Sequence, residues 1–223
     1  MKKLWFAIVL TVLSIVQLSA QKGSDFEGVV KYTVSFEDSQ LPPEATAMFK
    51  NAQLVVSITP EKQRTDVDMV LQSTSSIIDL KKKQIYTLMD VAGKKYIIKN
   101  TEAEAKRESE KAPQPEIKYL DETKEIAGYK CKKAEVTIDG SEMKMVVYYT
   151  NEIQNNDLQP VYKGLKGFPL EYSTNMGGMQ IKFIAKSISK EKVPDSVFEI
   201  PKGYIETTAE DLQRELLKQL GGQ

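Results

Sequence analysis

The sequence predicts a mainly β fold of the α+β class, built on an antiparallel sheet. Three observations predict it. From Phe26 to Lys99, six short runs rich in β-branched and aromatic residues follow one another through short links. Lys124 to Thr150, reading KEIAGYKCKKAEVTIDGSEMKMVVYYT, joins two more such runs through Asp139-Gly140, and a further hairpin pattern occupies Phe168 to Ser187. Helical or highly charged segments are few and lie between or after the strands, which favours a meander over alternating βαβ units.

The first twenty residues stand apart. Met1, Lys2 and Lys3 make a positive start, Leu4 to Val16 is apolar and uncharged, and Gln17-Leu18-Ser19-Ala20 ends in small residues. This is the pattern of a cleavable signal peptide, with cleavage expected after Ala20. The apolar run is shorter than the roughly 20 residues of a membrane span, so no transmembrane anchor is expected in the mature chain. Gln21 follows the cleavage point where a lipoprotein would carry cysteine. The expectation is a single domain over 21–223, periplasmic or secreted.

The full chain has 31 basic and 31 acidic residues. Loss of Lys2 and Lys3 with the signal leaves the mature charge at −2, which argues against nucleic acid as a partner. The chain contains no histidine. Ser-His-Asp and Cys-His catalysis and histidine zinc sites are therefore excluded, and no cofactor is expected. One cysteine, Cys131, allows no intrachain disulfide.

Each element follows from its local pattern. Val30, Tyr32, Val34 and Phe36 share one parity against Lys31, Thr33 and Ser35, which marks a half-buried strand. Leu41-Pro42-Pro43 breaks it, and Glu44 to Lys50 reads as a short helix. Strands are expected at 54–59, 63–69, 73–79, 84–89 and 94–99, with Asp90 to Gly93 the clearest turn. Asn100 to Pro115 is charged all round, with Thr101 and Glu104 placed as a capping box, and reads as a solvated helical excursion. In the 124–150 stretch, Tyr129 and Cys131 have one parity and Ala134, Val136 and Ile138 the other. Either both faces are covered there or a bulge near Lys132-Lys133 resets the register. Asn151 to Lys163 is polar and irregular. Val193 to Pro201 reads as a turn and a short strand. Ala209 to Leu220 is helical, with Leu212, Leu216 and Leu220 on one side.

Candidate chemistry is sparse. Cys131 is flanked by lysines, but strand neighbours point away, so a buried and inert thiol is expected. Asp66 and Asp68 share a strand face with Arg64, without the further oxygen ligands a cation requires. Methionines are more suggestive, because they adapt to irregular apolar ligands as well as to cores. If the sheet curves around a cavity, its candidate lining is Tyr32, Met69, Met89, Met143, Met145, Tyr149 and Phe183, with Met176 and Met179 in the second hairpin.

Three segments carry a family resemblance: Ile126 to Ala134 (IAGYKCKKA), Leu165 to Tyr172 (LKGFPLEY) and Val193 to Tyr204 (VPDSVFEIPKGY). They resemble the domain-of-unknown-function family numbered 4412, exported proteins common in Bacteroidetes. Its strand order is similar to that of the LolA and LolB lipoprotein carriers. The resemblance spans about residues 26–206. It implies a LolA-like open half-barrel with helices over its concave side. It implies an apolar ligand such as a lipid or lipidated protein, and assigns no catalytic residue. The expected protein is thus a non-enzymatic envelope protein. The alternative is a scaffold that binds an envelope protein through a strand edge, the 100–115 excursion or the last helix.

Overall fold

The computed structural model describes residues 25–36, 52–69, 72–91, 93–111, 115–138, 144–154, 162–176 and 179–221. The expected signal segment, the short helix at 44–50, the Asp139-Gly140 turn and Met143 lie outside these residues. The described residues hold one open twelve-stranded sheet. Six strands form a first antiparallel meander: β1 (Gly28–Phe36), β2 (Gln53–Ile58), β3 (Lys62–Asp68), β4 (Gln72–Asp79), β5 (Gln84–Val91) and β6 (Lys94–Thr101). Five form a second: β7 (Pro115–Ile126), β8 (Tyr129–Ile138), β9 (Lys144–Thr150), β10 (Phe168–Met176) and β11 (Met179–Lys190). The two meanders join where β1 pairs antiparallel with β11. The two-residue β12 (Ile205–Glu206) then pairs with β6, parallel to it, and completes the order β12-β6-β5-β4-β3-β2-β1-β11-β10-β9-β8-β7. This last contact departs from the wholly antiparallel expectation.

Two elements differ further from the expected pattern. β7 is a twelve-residue strand that begins at Pro115, well before Lys124. It meets β8 through a two-residue turn, Ala127-Gly128, both at positive φ (50° and 82°), as a tight hairpin requires. The 193–201 segment is not a strand. Asp195–Phe198 is a 3-10 turn, because Pro194 lacks the N–H of a ladder donor and the chain passes over the sheet rather than along its edge. The excursion after β6 is helix α1 (Glu102–Lys111). Its capping box forms: Thr101 N–H donates to Glu104 Oε2 at 2.8 Å, and Glu104 N–H donates to Thr101 Oγ1 at 3.2 Å. Helix α2 (Ala209–Gly221) closes the described chain.

A register shift lies opposite Lys132-Lys133, in β7 and not in β8. Burial runs Tyr129 in, Lys130 out, Cys131 in, Lys132 out, then Ala134 and Val136 in. Tyr119 pairs with Ala134 and Thr123 with Lys132. Leu120, Asp121 and Glu122 thus stand opposite Lys133 alone. The extra residues belong to β7, while β8 keeps an unbroken register against β9 from Lys132 to Thr137.

The sheet curls. β7 touches β11 although three strands separate them, and the Lys190 ammonium stands 5.6 Å from the Tyr129 ring centroid. The main core fills the concave side of β1, β2 and β8–β11. It includes Val30, Tyr32, Leu54, Val56, Ala134, Val136, Val147, Leu170, Tyr172 and Ile181. A second cluster, Ile77, Leu88, Ile97, Val193 and Phe198, lies on the convex side of β4–β6 beneath residues 193–204. That strap is tied down by polar contacts. Arg64 Nη1 donates to the Val197 carbonyl at 2.8 Å, Val193 N–H donates to Glu27 Oε1 at 2.8 Å, and Lys62 pairs with Asp195 at 2.9 Å.

Candidate functional site

Cross-strand register places side chains of the first meander on defined faces. Val30, Val56, Thr65, Ser76, Thr87 and Ile98 form one row across β1–β6, and Tyr32, Leu54, Val67, Thr74, Met89 and Tyr96 form the next, both on the concave face. Burial changes along each row. Val30, Tyr32, Leu54 and Val56 are buried, whereas Thr65, Val67, Thr74, Ser76, Thr87, Met89 and Ile98 are half-buried. The concave face is therefore filled by large side chains at β1–β2 and leaves a strip of small or apolar ones over β3–β6. The far end of the strip is bounded by Tyr96, 3% exposed, whose hydroxyl donates to Glu215 of α2 at 2.7 Å. Leu212 of α2 is also buried. The Thr65 hydroxyl is buried within the strip and has no hydrogen-bond partner among the described residues.

The structure divides the seven candidate lining residues. Tyr32, Met145, Tyr149 and Phe183 come together in the main core, all at least nine-tenths buried. Tyr32 donates its hydroxyl to the Pro169 carbonyl at 2.7 Å, and burial raises its pKa well above the ordinary tyrosine value, with Tyr172 and Cys131 adding to the shift. Met89 lies on the concave strip and Met69 at the β3–β4 turn, both half-buried. The small polar members of the strip, Thr65, Thr74, Ser76 and Thr87, escaped the sequence reading. The signal for them was the low side-chain bulk of one parity across three successive strands.

The other candidates have structural partners. Asp66 accepts from Arg64 Nε at 2.8 and 3.0 Å and from the Ser75 hydroxyl at 2.5 Å on the convex face. The same guanidinium holds the strap, so Asp66 orients a structural arginine, while Asp68 is exposed. Cys131 is fully buried, and its thiol is pushed up to about 11 by burial and then by the Glu171 and Glu152 carboxylates. It is protonated near neutral pH and is not a nucleophile there. Among the described residues no group of three or more His, Cys, Asp or Glu could hold a metal ion.

Glu171 is a buried carboxylate on the convex face. The Glu171 side chain is 8% exposed and lies 2.5 Å from the Lys124 ammonium and 3.2 Å from that of Lys182. Burial alone raises its pKa, but the hydrogen bonds and charges of the two lysines outweigh burial and hold it below the ordinary value of 4.5. A lowered folded pKa stabilises the protein above the unfolded carboxylate range and loses that contribution as pH falls through the folded value. Glu171→Gln is accordingly expected to cost about 1–3 kcal/mol at neutral pH. Urea titrations of both proteins should show the difference shrinking on acidification below the ordinary carboxylate range.

Comparison with known proteins follows the sheet. A family model described as "N-glycanase peptide, N-terminal domain" matches residues 30–207. No curated protein matches the chain. Two solved structures of PNGF-II, in space groups P21 and C2, are similar in fold, with TM-scores of 0.56 and 0.52 at 18% and 19% identity. Each match covers 86% of this chain and 33% of PNGF-II, so the chain spans about a third of that protein's length. A β-barrel-like protein of the domain of unknown function DUF1849 from Brucella abortus gives a TM-score of 0.40 at 8% identity, covering 77% of this chain and all of the other. No helix among the described residues is long and apolar enough to cross a membrane.

Proposed function

The chain belongs to the N-glycanase peptide N-terminal domain family, and from that premise we propose that it is a non-enzymatic binding module of the cell envelope whose concave strip holds an apolar chain. The ligand class is a lipid or the acyl chain of a lipidated protein, in keeping with the resemblance to family 4412 and to the LolA-like carriers. One observation carries the reading. The large side chains that fill the concave face at β1–β2 give way over β3–β6 to half-buried Thr65, Val67, Thr74, Ser76, Thr87, Met89 and Ile98. A lining of apolar groups with a few polar ones is what an amphipathic ligand requires. The buried Thr65 hydroxyl adds a place for a carbonyl or hydroxyl beside the chain. The absence of histidine from the sequence and the protonated state of Cys131 favour a binding role over catalysis.

A second reading, an interaction module with no small ligand, draws on Ile200 and Ile205, 38% and 61% exposed beside the β12 rim. One experiment separates the two. Protein prepared without detergent is analysed by native mass spectrometry and titrated with a fluorescent fatty acid. The expected result is a bound or bindable acyl chain, with Thr87→Trp weakening probe binding about tenfold by filling the strip. An empty protein that binds no probe, or a variant with unchanged affinity, would transfer support to the second reading.

A further inference from the structure

A groove on the convex face lies outside the concave strip. It encloses about 370 Å³, and its lining includes Lys124 of β7, Lys144 of β9, Glu171 and Ser173 of β10, and Gln180 and Lys182 of β11. Register explains the convergence. Ser173 stands opposite Lys182, and Glu171 stands opposite Tyr148, so their side chains share one face. Tyr148 walls the groove, with the Lys124 ammonium 5.2 Å from its ring centroid.

The charge balance of this groove is uneven. Three ammonium groups face one carboxylate. Glu171, more than nine-tenths buried, fixes Lys124 and Lys182 in place through contacts of 2.5 and 3.2 Å. An ammonium has three donors, and the Lys124 contact with Glu171 uses one of them. Lys144 is exposed and makes no ion pair among the described residues. The lining therefore keeps two positive charges in excess, held partly by a buried anion that cannot leave, with the amide of Gln180 and the hydroxyl of Ser173 beside them. Fixed cations next to neutral donors and acceptors recognise a charged oxygen group on a polar frame.

We propose that this groove binds an anionic oxygen group, a carboxylate or phosphate monoester, carried on a hydroxyl-rich ligand of the saccharide class. Lys144 and Lys124 meet the anion, Gln180 and Ser173 meet hydroxyls, and Glu171 positions the lysines without touching the ligand. The site is separate from the apolar strip, so either can fail alone.

The test is calorimetric titration of the full chain at low salt with glucuronate, glucose 6-phosphate, inorganic phosphate and glucose. The two anionic sugars are expected to bind, glucose to bind far more weakly, and affinity to fall as salt rises. Lys144→Gln should weaken binding about tenfold, the equivalent of one charge-assisted hydrogen bond. Glu171→Gln removes the internal counter-charge and should tighten binding, an outcome that a purely structural role would not produce. If that variant is poorly folded, Lys144→Glu, at an exposed residue, decides the matter through lost binding at an unchanged melting temperature. Thr87→Trp should leave anion binding untouched. Equal affinity for glucose and glucuronate, or unaltered binding in both Lys144 variants, would overturn the proposal. Inorganic phosphate binding as tightly as glucose 6-phosphate would overturn its saccharide part.

Discussion

Replacing Phe198 with alanine is expected to cost about 3–4 kcal/mol and to lower the melting temperature by roughly 10 °C. Phe198 is the largest buried side chain that the strap contributes to the convex cluster, where it packs with Val193 against Ile77, Leu88 and Ile97. The 3-10 turn that carries it is only four residues long and has no side-chain cap. Its backbone is held by Arg64 through the Val197 carbonyl, and the Lys62 ammonium stands 5.6 Å from the Phe198 ring centroid. Truncation would open a cavity and uncover three sheet residues together, because the strap is their cover. Thermal melts should show the loss, and limited proteolysis should show new cleavage within residues 193–204 before the sheet itself is cut. Melting within 2 °C of the parent would mean that the strap's polar ties, rather than its ring, hold it down.

Tyr172→Ala should be more damaging still, at about 5 kcal/mol, which is comparable with the whole stability of many domains. Tyr172 is 3% exposed and touches three rings. Phe183 stacks on it at 5.0 Å and 20°, while Tyr162 and Tyr32 meet it edge-on at 5.4 and 5.9 Å. Two of those neighbours are tied to the backbone around it: Tyr162 donates to the Ser173 carbonyl and Tyr32 to that of Pro169. Loss of the central ring leaves each of them facing a void while its hydroxyl stays fixed. Tyr172→Phe keeps every ring contact and should cost only about 1 kcal/mol. Urea midpoints of the two variants give the comparison, and equal midpoints would show that the ring stack contributes little.

Much of the sheet is legible in the chain because one face of each strand is buried. β1 to β6 lie within two residues of the runs that alternation marks, since Val30 with Tyr32, Leu54 with Val56, and Tyr96 with Ile98 report a common inward parity. β7 is harder. Ile117 and Tyr119 alternate with charge, but residues 120–122 then stand opposite Lys133 alone, and Asp121 to Glu125 are all exposed. Without a buried parity, no period marks the second half of the strand. Ile153 and Tyr162 are buried to 1–2% within a polar, irregular stretch where no period exists to mark them. The strap reads as a strand because Val197, Phe198 and Ile200 are strand-like residues, while its docking on another strand's convex side depends on contacts more than a hundred residues apart. The concave strip was legible only in part. Methionines announce themselves, whereas threonines and serines on an inward parity look like an ordinary solvent face until the curl of the sheet decides which side is inside.

The open sheet has two rims, and they refuse an added strand by different means. At one rim β6 carries Lys94, Lys95 and Lys99, and part of its hydrogen-bonding edge is taken by Ile205 and Glu206 of the same chain. At the other, β7 is the outermost described strand, but Asp121 to Glu125 are all exposed and charged or polar, and the bulge interrupts the flat run of amides that a second copy would need. Charge, bulging and self-pairing are recognised ways to block edge-to-edge growth. An unclosed sheet of this kind would otherwise be a template for polymerisation; with both margins occupied or blunted, it can stay open without inviting a further strand.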